Sequence, residues 1–135
     1  MTDRDFSAHT LMHRMNMELV SLSPQECVIR MPVEGNRQRA GFLHGGASAA
    51  LVETAGSFAA NEHAQTIAED TPLVAVGVEL SIQHIAAAAD GYVTATATAV
   101  QLGRSRCVHR VDVKNEDGEM ISTALISNQI IRPRK

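Results

Sequence analysis

The chain has no tryptophan, only 3% aromatic residues and no excess of basic side chains. It has 12 Lys and Arg residues and 15 Asp and Glu residues, which gives a formal net charge of −3. A surface that stacks nucleic-acid bases needs aromatic side chains, and a surface that binds a polyanion needs excess positive charge. The composition therefore argues against a nucleic-acid partner.

Cysteines are also few, and long apolar runs are absent. Cys27 and Cys107 stand far apart and outside any CxxC pattern, so we expect two buried or half-buried thiols, no disulfide framework and no metal site. No apolar run approaches the ~20 residues of a membrane span, and residues 1–5 lack the regions of a signal peptide. These absences favour a cytoplasmic protein that has no membrane partner.

What is present is typical of a globular domain. The 135 residues are 44% apolar and 20% charged, which suffices for a core without disulfides or metals. No Pro-, Gly- or Ser-rich linker divides the chain. We predict one domain over residues 1–135, with a lead-in at 1–11 and a basic tail at 132–135.

Hydrophobic periodicity predicts mostly strands. We predict a short amphipathic helix at 6–15, a central helix from residue 45 and a polar loop at 61–72. The predicted strands are 17–22, 26–31, 73–85, 92–102, 107–115 and 120–131. Strands segregated from a single central helix imply an α+β fold, with the helix against a largely antiparallel sheet of five to six strands whose last four form a meander.

The central helix contains the feature that most needs an explanation. After a His-Gly-Gly turn, Glu53 is the only charged residue between Gly45 and Asn61. Apolar residues recur there at three- and four-residue steps, at Ala47, Leu51, Val52, Ala55, Phe58 and Ala59, which predicts a helix that is apolar nearly all round. A lone carboxylate in such a helix is expected to be buried. Burial disfavours the charged form, so such a residue is usually kept for function.

The residues around Glu53 suggest its chemistry. Ser57 is four positions further on, so it shares a helical face with Glu53 and can orient what the carboxylate holds. His44 and Gly45 lie at the helix start, where unpaired N–H groups and the positive end of the helix dipole favour a developing negative charge. This pattern is typical of an oxyanion hole.

Helix geometry separates these two groups. Gly45 and Glu53 are eight residues apart, about 12 Å along one axis at roughly 1.5 Å per residue. One helix is unlikely to present both to the same carbonyl carbon, whereas two antiparallel copies across a two-fold axis are able to do so. The sequence therefore predicts a homodimer with shared active sites.

Taken together, Gln38, the His44-Gly45-Gly46 turn, Glu53, Ser57 and His84 resemble the hotdog-fold acyl-CoA thioesterases. Val76-Gly77-Val78-Glu79 adds to this resemblance, which runs over residues 12–131. It is to the group of phenylacetate-pathway and 4-hydroxybenzoyl-CoA thioesterases. The most similar branch acts on 1,4-dihydroxy-2-naphthoyl-CoA and on aryl groups misloaded on siderophore-synthesis carrier proteins.

The resemblance implies a sheet wrapped around one long helix, acyl-CoA hydrolysis and no cofactor apart from the CoA of the substrate. It implies that Glu53 is the base or the nucleophile, that the Gly45 N–H polarises the carbonyl, and that Ser57 orients water or carboxylate. His44 and Gln38 would position the loop and the thioester. The residues predicted to contact substrate are His84, Gly46, Asn36, Arg104, Ser105 and Arg106.

Partners follow from the same resemblance. CoA binds at the subunit interface of such enzymes, so Arg104 and Arg106 would meet its phosphates, a contact that guanidinium groups make well. The alternative is that these arginines are solvated charges flanking a hairpin. The resemblance also implies a homodimer, which either stays a dimer or pairs into a homotetramer, and a substrate that is either an acyl-CoA or an acylated carrier protein.

Several alternatives stay open at this stage. Hydration or dehydration of an acyl thioester and noncatalytic acyl-CoA binding are the other functions considered, and free-thiol release separates them from hydrolysis. The acyl group is also open, because residues 39–43 differ from the Pro-Phe-Gly-Leu-Leu that commonly precedes His-Gly-Gly in the branch.

Overall fold

The computed structural model describes residues 6–133 and has the predicted α+β architecture. One long helix packs against one six-stranded antiparallel sheet. Its elements in chain order are α1 (Leu11–Arg14), β1 (Glu18–Leu22), β2 (Glu26–Pro32), α2 (Gly45–Ile67), β3 (Val74–His84), β4 (Tyr92–Leu102), β5 (Arg106–Asn115) and β6 (Met120–Ile131). Within residues 6–133, neither helix has the length and apolar character that crossing a membrane requires.

The strand order corrects the predicted meander. The sheet runs β1-β2-β4-β5-β6-β3, so β4, β5 and β6 are sequential neighbours, but β3 pairs with β6 and not with β4. The connection after β3 therefore crosses the end of the sheet. As a result β3 is an edge strand, and one of its sides has no partner strand within residues 6–133.

Helix α2 lies on the inner face of the sheet and contacts all six strands. Close approach is possible because small residues face it, such as Ala95 and Ala97 of β4, which are fully buried. The closest contact is at Gly56, where an added Cβ would lie 2.3 Å from Cγ2 of Ile126 on β6. A side chain at position 56 would therefore separate the helix from the sheet.

We expect Gly56→Ala to lower the free energy of unfolding by about 1–3 kcal/mol, the usual cost of overpacking a core. The Ile126 side chain cannot move freely, because it is 1% exposed. Urea denaturation measures the effect. In the double variant with Ile126→Ala the clash is absent. The loss of unfolding free energy in the double variant should therefore be smaller than the sum of the losses in the two single variants. Losses that simply add would contradict the contact.

Two boundary predictions were wrong. The helix predicted at 6–15 is the single turn α1, capped by Thr10, whose Oγ1 accepts a hydrogen bond from His13 N–H. The loop predicted at 61–72 begins only after Ile67, because α2 continues through Asn61 and His63. Both side chains are half-buried and form hydrogen bonds with backbone groups that lie close in space. These polar residues suggest solvent exposure, but they attach the helix to the rest of the fold.

A bulge in β3 interrupts the alternation of side chains between the two faces of the sheet. The register with β6 shifts between Gly77 and Glu79, which reverses the face that each following residue occupies. Before the bulge Ala75 is buried, whereas Val76 and Val78 are 40% and 50% exposed. The edge strand thus carries exposed apolar side chains next to the position of Glu53.

Candidate active site

The start of α2 has a backbone N–H group that donates to no acceptor within the described residues. His44 caps the helix, and its Nδ1 accepts a hydrogen bond from Gly46 N–H at 2.8 Å. Within residues 6–133 the Gly45 N–H has no acceptor, and the positive end of the helix dipole lies at the same point. This N–H is therefore available to donate to an oxygen that gains negative charge.

Asn36 holds the loop that leads into this helix. Its side-chain Nδ2 donates to the carbonyl oxygens of Met15 and Pro32 at 2.9 and 2.8 Å. Its backbone carbonyl oxygen accepts from His44 N–H at 2.9 Å. The side chain is buried. In this chain Asn36 fixes the position of His44, and its direct contact with substrate stays a prediction.

A cavity of about 390 Å³ opens beside Gly45 and is also lined by Gln38 and His84. The His84 imidazole packs on Gly45 so closely that an added Cβ would lie 2.9 Å from its Nε2. The other ring nitrogen, Nδ1, is 2.9 Å from the buried Ser122 Oγ, which holds the ring in place. Three of the predicted site residues therefore meet in one cavity.

Glu53 differs from the prediction in its burial. It is exposed, and within residues 6–133 its carboxylate has no ion pair or hydrogen bond. Its side chain lies against Gly77 at the β3 bulge, where an added Cβ would be 2.8 Å from Glu53 Oε2. Glu53 lies beside the edge strand β3, beyond which no further strand covers it within residues 6–133, and periodicity alone does not reveal this position.

Glu53 and Ser57 line a second cavity of about 400 Å³, together with apolar side chains of α1 and α2. Ser57 Oγ donates to Oδ1 of Asn128 on β6 at 3.0 Å. Asn128 was missed by the sequence analysis. The available signal was its position between the inward-facing Ile126 and Ile130, where a polar residue is unusual.

The structure thus divides the predicted site residues of one chain into two groups. Glu53 and Ser57 are in one cavity, and Gln38, Gly45 and His84 are in another. The separation agrees with the ~12 Å along the α2 axis.

Arg104 and Ser105 are exposed in the turn between β4 and β5, and Arg106 is exposed at the start of β5. This hairpin is tied to the C-terminal part of α2, because His63 Nε2 donates to the Gly103 carbonyl at 2.8 Å. Arg106 also donates to Gln129 Oε1 at 3.3 Å. The three residues therefore lie at the end of α2 opposite to Gly45.

Both cysteines are buried, as predicted. Burial raises the pKa of the Cys27 thiol to about 12, with Glu62 adding to the shift. Burial also raises the pKa of Cys107, which a hydrogen bond with the Gly103 backbone partly offsets. Burial and the raised pKa values both disfavour the thiolate form, so neither sulfur is a candidate nucleophile.

Known proteins with a similar sequence are named as esterases and thioesterases. The thioesterase superfamily model matches residues 40–122. The 1,4-dihydroxy-2-naphthoyl-CoA hydrolase of Listeria monocytogenes is 31% identical over 126 residues, covering 93% of this chain and 98% of its own. The proofreading thioesterase EntH of Cronobacter turicensis is 32% identical over 126 residues, covering 93% and 88%.

Solved structures agree with the sequence matches. A Haemophilus influenzae thioesterase superposes with a TM-score of 0.83 at 28% identity, over 93% of this chain and 85% of that one. A Staphylococcus aureus thioesterase with a glutamine replaced by alanine gives 0.81 at 34% identity, over 91% and 98%. The same protein with a glutamate replaced by alanine gives 0.83 at 33%, over 92% and 100%. The chain therefore belongs to the thioesterase superfamily, has the hotdog fold and is a thioester hydrolase.

Proposed function

We propose that this chain hydrolyses an acyl-CoA thioester with an aryl or medium-chain acyl group, giving the free acid and CoA. The oxygen of water bonds to the carbonyl carbon, the C–S bond breaks, and the leaving sulfur takes up a proton. Glu53 either removes the proton from water or attacks first to form an anhydride that water then hydrolyses. The Gly45 N–H stabilises the negative charge on the carbonyl oxygen.

The observation that carries this proposal is the division of the site into two cavities. Neither cavity of one chain contains both an oxyanion donor and a carboxylate. In a homodimer with antiparallel α2 helices, Glu53 and Ser57 of one protomer face Gly45, Gln38 and His84 of its partner. Each dimer then contains two complete sites.

Strand β3 offers the surface for such a dimer. It is an edge strand, and exposed edges of this kind pair readily with another chain. Val76 and Val78 are exposed on it, beside the Gly77 that Glu53 contacts. Pairing of β3 with its copy would cover these valines and bring Glu53 to the interface.

The relatives support both the substrate class and the residue assignment. The Listeria monocytogenes enzyme is named for an aromatic CoA thioester. In the two Staphylococcus aureus variants, the replaced glutamine and glutamate are fifteen positions apart, as Gln38 and Glu53 are here. The cavity at Glu53 has apolar walls that include Leu11, Met12 and Phe58, which suits an acyl group without charge.

The phosphates of CoA are assigned to Arg104 and Arg106. We expect the double variant Arg104→Ala/Arg106→Ala to raise KM for an acyl-CoA about tenfold while kcat stays unchanged, because the contacts are equal in ground and transition states. Steady-state kinetics measure this. The same acyl group on pantetheine, which lacks the nucleotide phosphates, should show no change in KM.

Lys114→Ala is the matched control, because Lys114 is an exposed cation at the other end of β5. Its KM should equal that of the unaltered protein. An unchanged KM in the double arginine variant would show that these arginines are solvated charges only.

The proposed reaction is tested by thiol release from a panel of aryl- and aliphatic acyl-CoA esters. Hydrolysis yields one free thiol per ester and the corresponding acid. Binding of the esters without thiol release would overturn the proposal and favour hydration of the acyl chain or binding alone. A rate that is high only with acylated carrier proteins would correct the substrate from CoA to a protein-bound pantetheine.

A further inference from the structure

Three polar residues form a stripe along α2. Glu53, Ser57 and Asn61 follow one another at four-residue steps and therefore share a helical face. Asn61 joins this face to the sheet edge: its Oδ1 accepts from Ala75 N–H at 2.9 Å, and its Nδ2 donates to the Ala75 carbonyl at 3.0 Å. The stripe thus has a fixed position relative to β3.

Asn128 lies beneath the middle of this stripe. It is on β6, in register with Gly77 of β3 and Cys107 of β5, and it is fully buried. Its Oδ1 accepts from Ser57 Oγ, while its Nδ2 has no acceptor within residues 6–133. A buried donor without a partner destabilises a fold, so stability does not explain an asparagine here.

We propose that Asn128 is a positioning residue that sets the direction of the Ser57 hydroxyl for catalysis. This inference rests on the proposed function. A serine hydroxyl has one proton and two lone pairs. Because the proton is donated to Asn128, the lone pairs are left to accept from a water molecule in the Glu53 cavity.

The consequence for the reaction is a defined water position. Such a water donates one hydrogen to Glu53 and the other to Ser57 Oγ, so its own lone pair is free for the attack. When Glu53 is the base, the oxygen bonds to the thioester carbonyl carbon, one proton passes to Glu53, the C–S bond breaks and the leaving sulfur takes up a proton. When Glu53 has first formed an anhydride, the oxygen bonds to an anhydride carbonyl carbon, the bond from that carbon to the bridging oxygen breaks, and the released carboxylate takes up a proton. Without Asn128 the Ser57 hydroxyl is free to donate to Glu53 or to water, which removes the acceptor.

The test is a double-mutant cycle between positions 57 and 128. We expect Asn128→Val to lower kcat about tenfold, with KM unchanged, because misplacing a reacting group costs rate. Ser57→Ala should cause a similar loss. The double variant should be no slower than Ser57→Ala alone, because the asparagine acts only through the serine. Asn128→Ser, which is too short to reach Ser57, is the second variant if Asn128→Val fails to fold.

His109→Gln is the control for a general loss of packing. His109 is also a buried polar residue on the inner face of the sheet, but its Nε2 donates to the Pro24 carbonyl at 2.9 Å and not to Ser57. It should alter thermal stability and leave kcat unchanged. If the effects of Asn128→Val and Ser57→Ala on kcat multiply, Asn128 is only structural and the inference is overturned.

Unfolding measurements separate this inference from the proposed function. The same cycle measured by urea denaturation reports the Ser57–Asn128 hydrogen bond without any substrate. If the unaltered protein releases no thiol, the proposed function fails and the catalytic role of Asn128 fails with it. If thiol is released and lost in Glu53→Ala but is unaffected by Asn128→Val, the proposed function stands and only the role of Asn128 is overturned.

Discussion

Glu53→Ala should lower kcat for acyl-CoA hydrolysis by at least about a thousandfold, within the 10²–10⁴-fold range of general-base catalysis or beyond it for a lost nucleophile. The protein should stay folded, because Glu53 is exposed and forms no hydrogen bond or ion pair within residues 6–133. Such surface substitutions usually change stability by no more than about 0.5 kcal/mol. The substitution is therefore expected to remove activity and to leave stability nearly unchanged.

Thiol-release kinetics and urea denaturation on the same preparations measure this separation. Glu53→Gln keeps the shape of the side chain and removes its charge, so it should be as slow as the alanine variant. Glu69→Gln removes an exposed carboxylate just beyond α2 and should retain full activity. A Glu53→Ala protein that keeps a tenth of the original kcat would exclude Glu53 as base or nucleophile.

Labelled water tests whether Glu53 acts as a nucleophile. In a single turnover in ¹⁸O-water, attack of water on the Glu53 side of an anhydride would place ¹⁸O in the carboxylate, which mass spectrometry of the peptide detects. If Glu53 acts as a base, or if water attacks the substrate side of the anhydride, the label enters only the released acid. Label in the Glu53 peptide would therefore demonstrate the covalent route.

Mixed dimers should recover activity that neither parent has. Glu53→Ala removes the carboxylate, and Gly45→Val blocks the oxyanion site, because His84 already occupies the space beside Gly45. Each mixed dimer contains one site with both groups intact and one with neither. Random mixing makes half of the dimers mixed, so about 25% of the original activity should return when the sites are shared across a two-fold axis.

The matched control places both substitutions in one chain and pairs that chain with an unaltered one. In a shared arrangement each site of this dimer lacks one group, so the purified mixed dimer should be inactive. Sites formed within single chains would give the opposite results: half of the activity in this control and no recovery in the first experiment. A different affinity tag on each of the two chains allows the mixed dimers to be separated from dimers of identical chains.

Local sequence was sufficient for most elements of the fold. Strand β6 was predicted at residues 120–131 and is Met120–Ile131. A long alternation of apolar and polar residues is typical of a strand in a half-buried sheet. Strand β4 was also placed correctly, with Ala95 and Ala97 beneath α2. The end of α2 was misplaced because Asn61 and His63 bond to Ala75 and Gly103, which are distant in sequence.

The sequence alone determined where the candidate residues lie on the helix: a His-Gly-Gly turn at its start, with Glu53 and Ser57 on one later face. These are consequences of spacing on a helix and of composition. Only the tertiary structure decided that β3 lies at the sheet edge, that Glu53 is exposed beside Gly77, and that Asn128 bonds to Ser57. Periodicity states which face of an element is apolar, but strand pairing depends on contacts between distant residues, and these decide what each face meets.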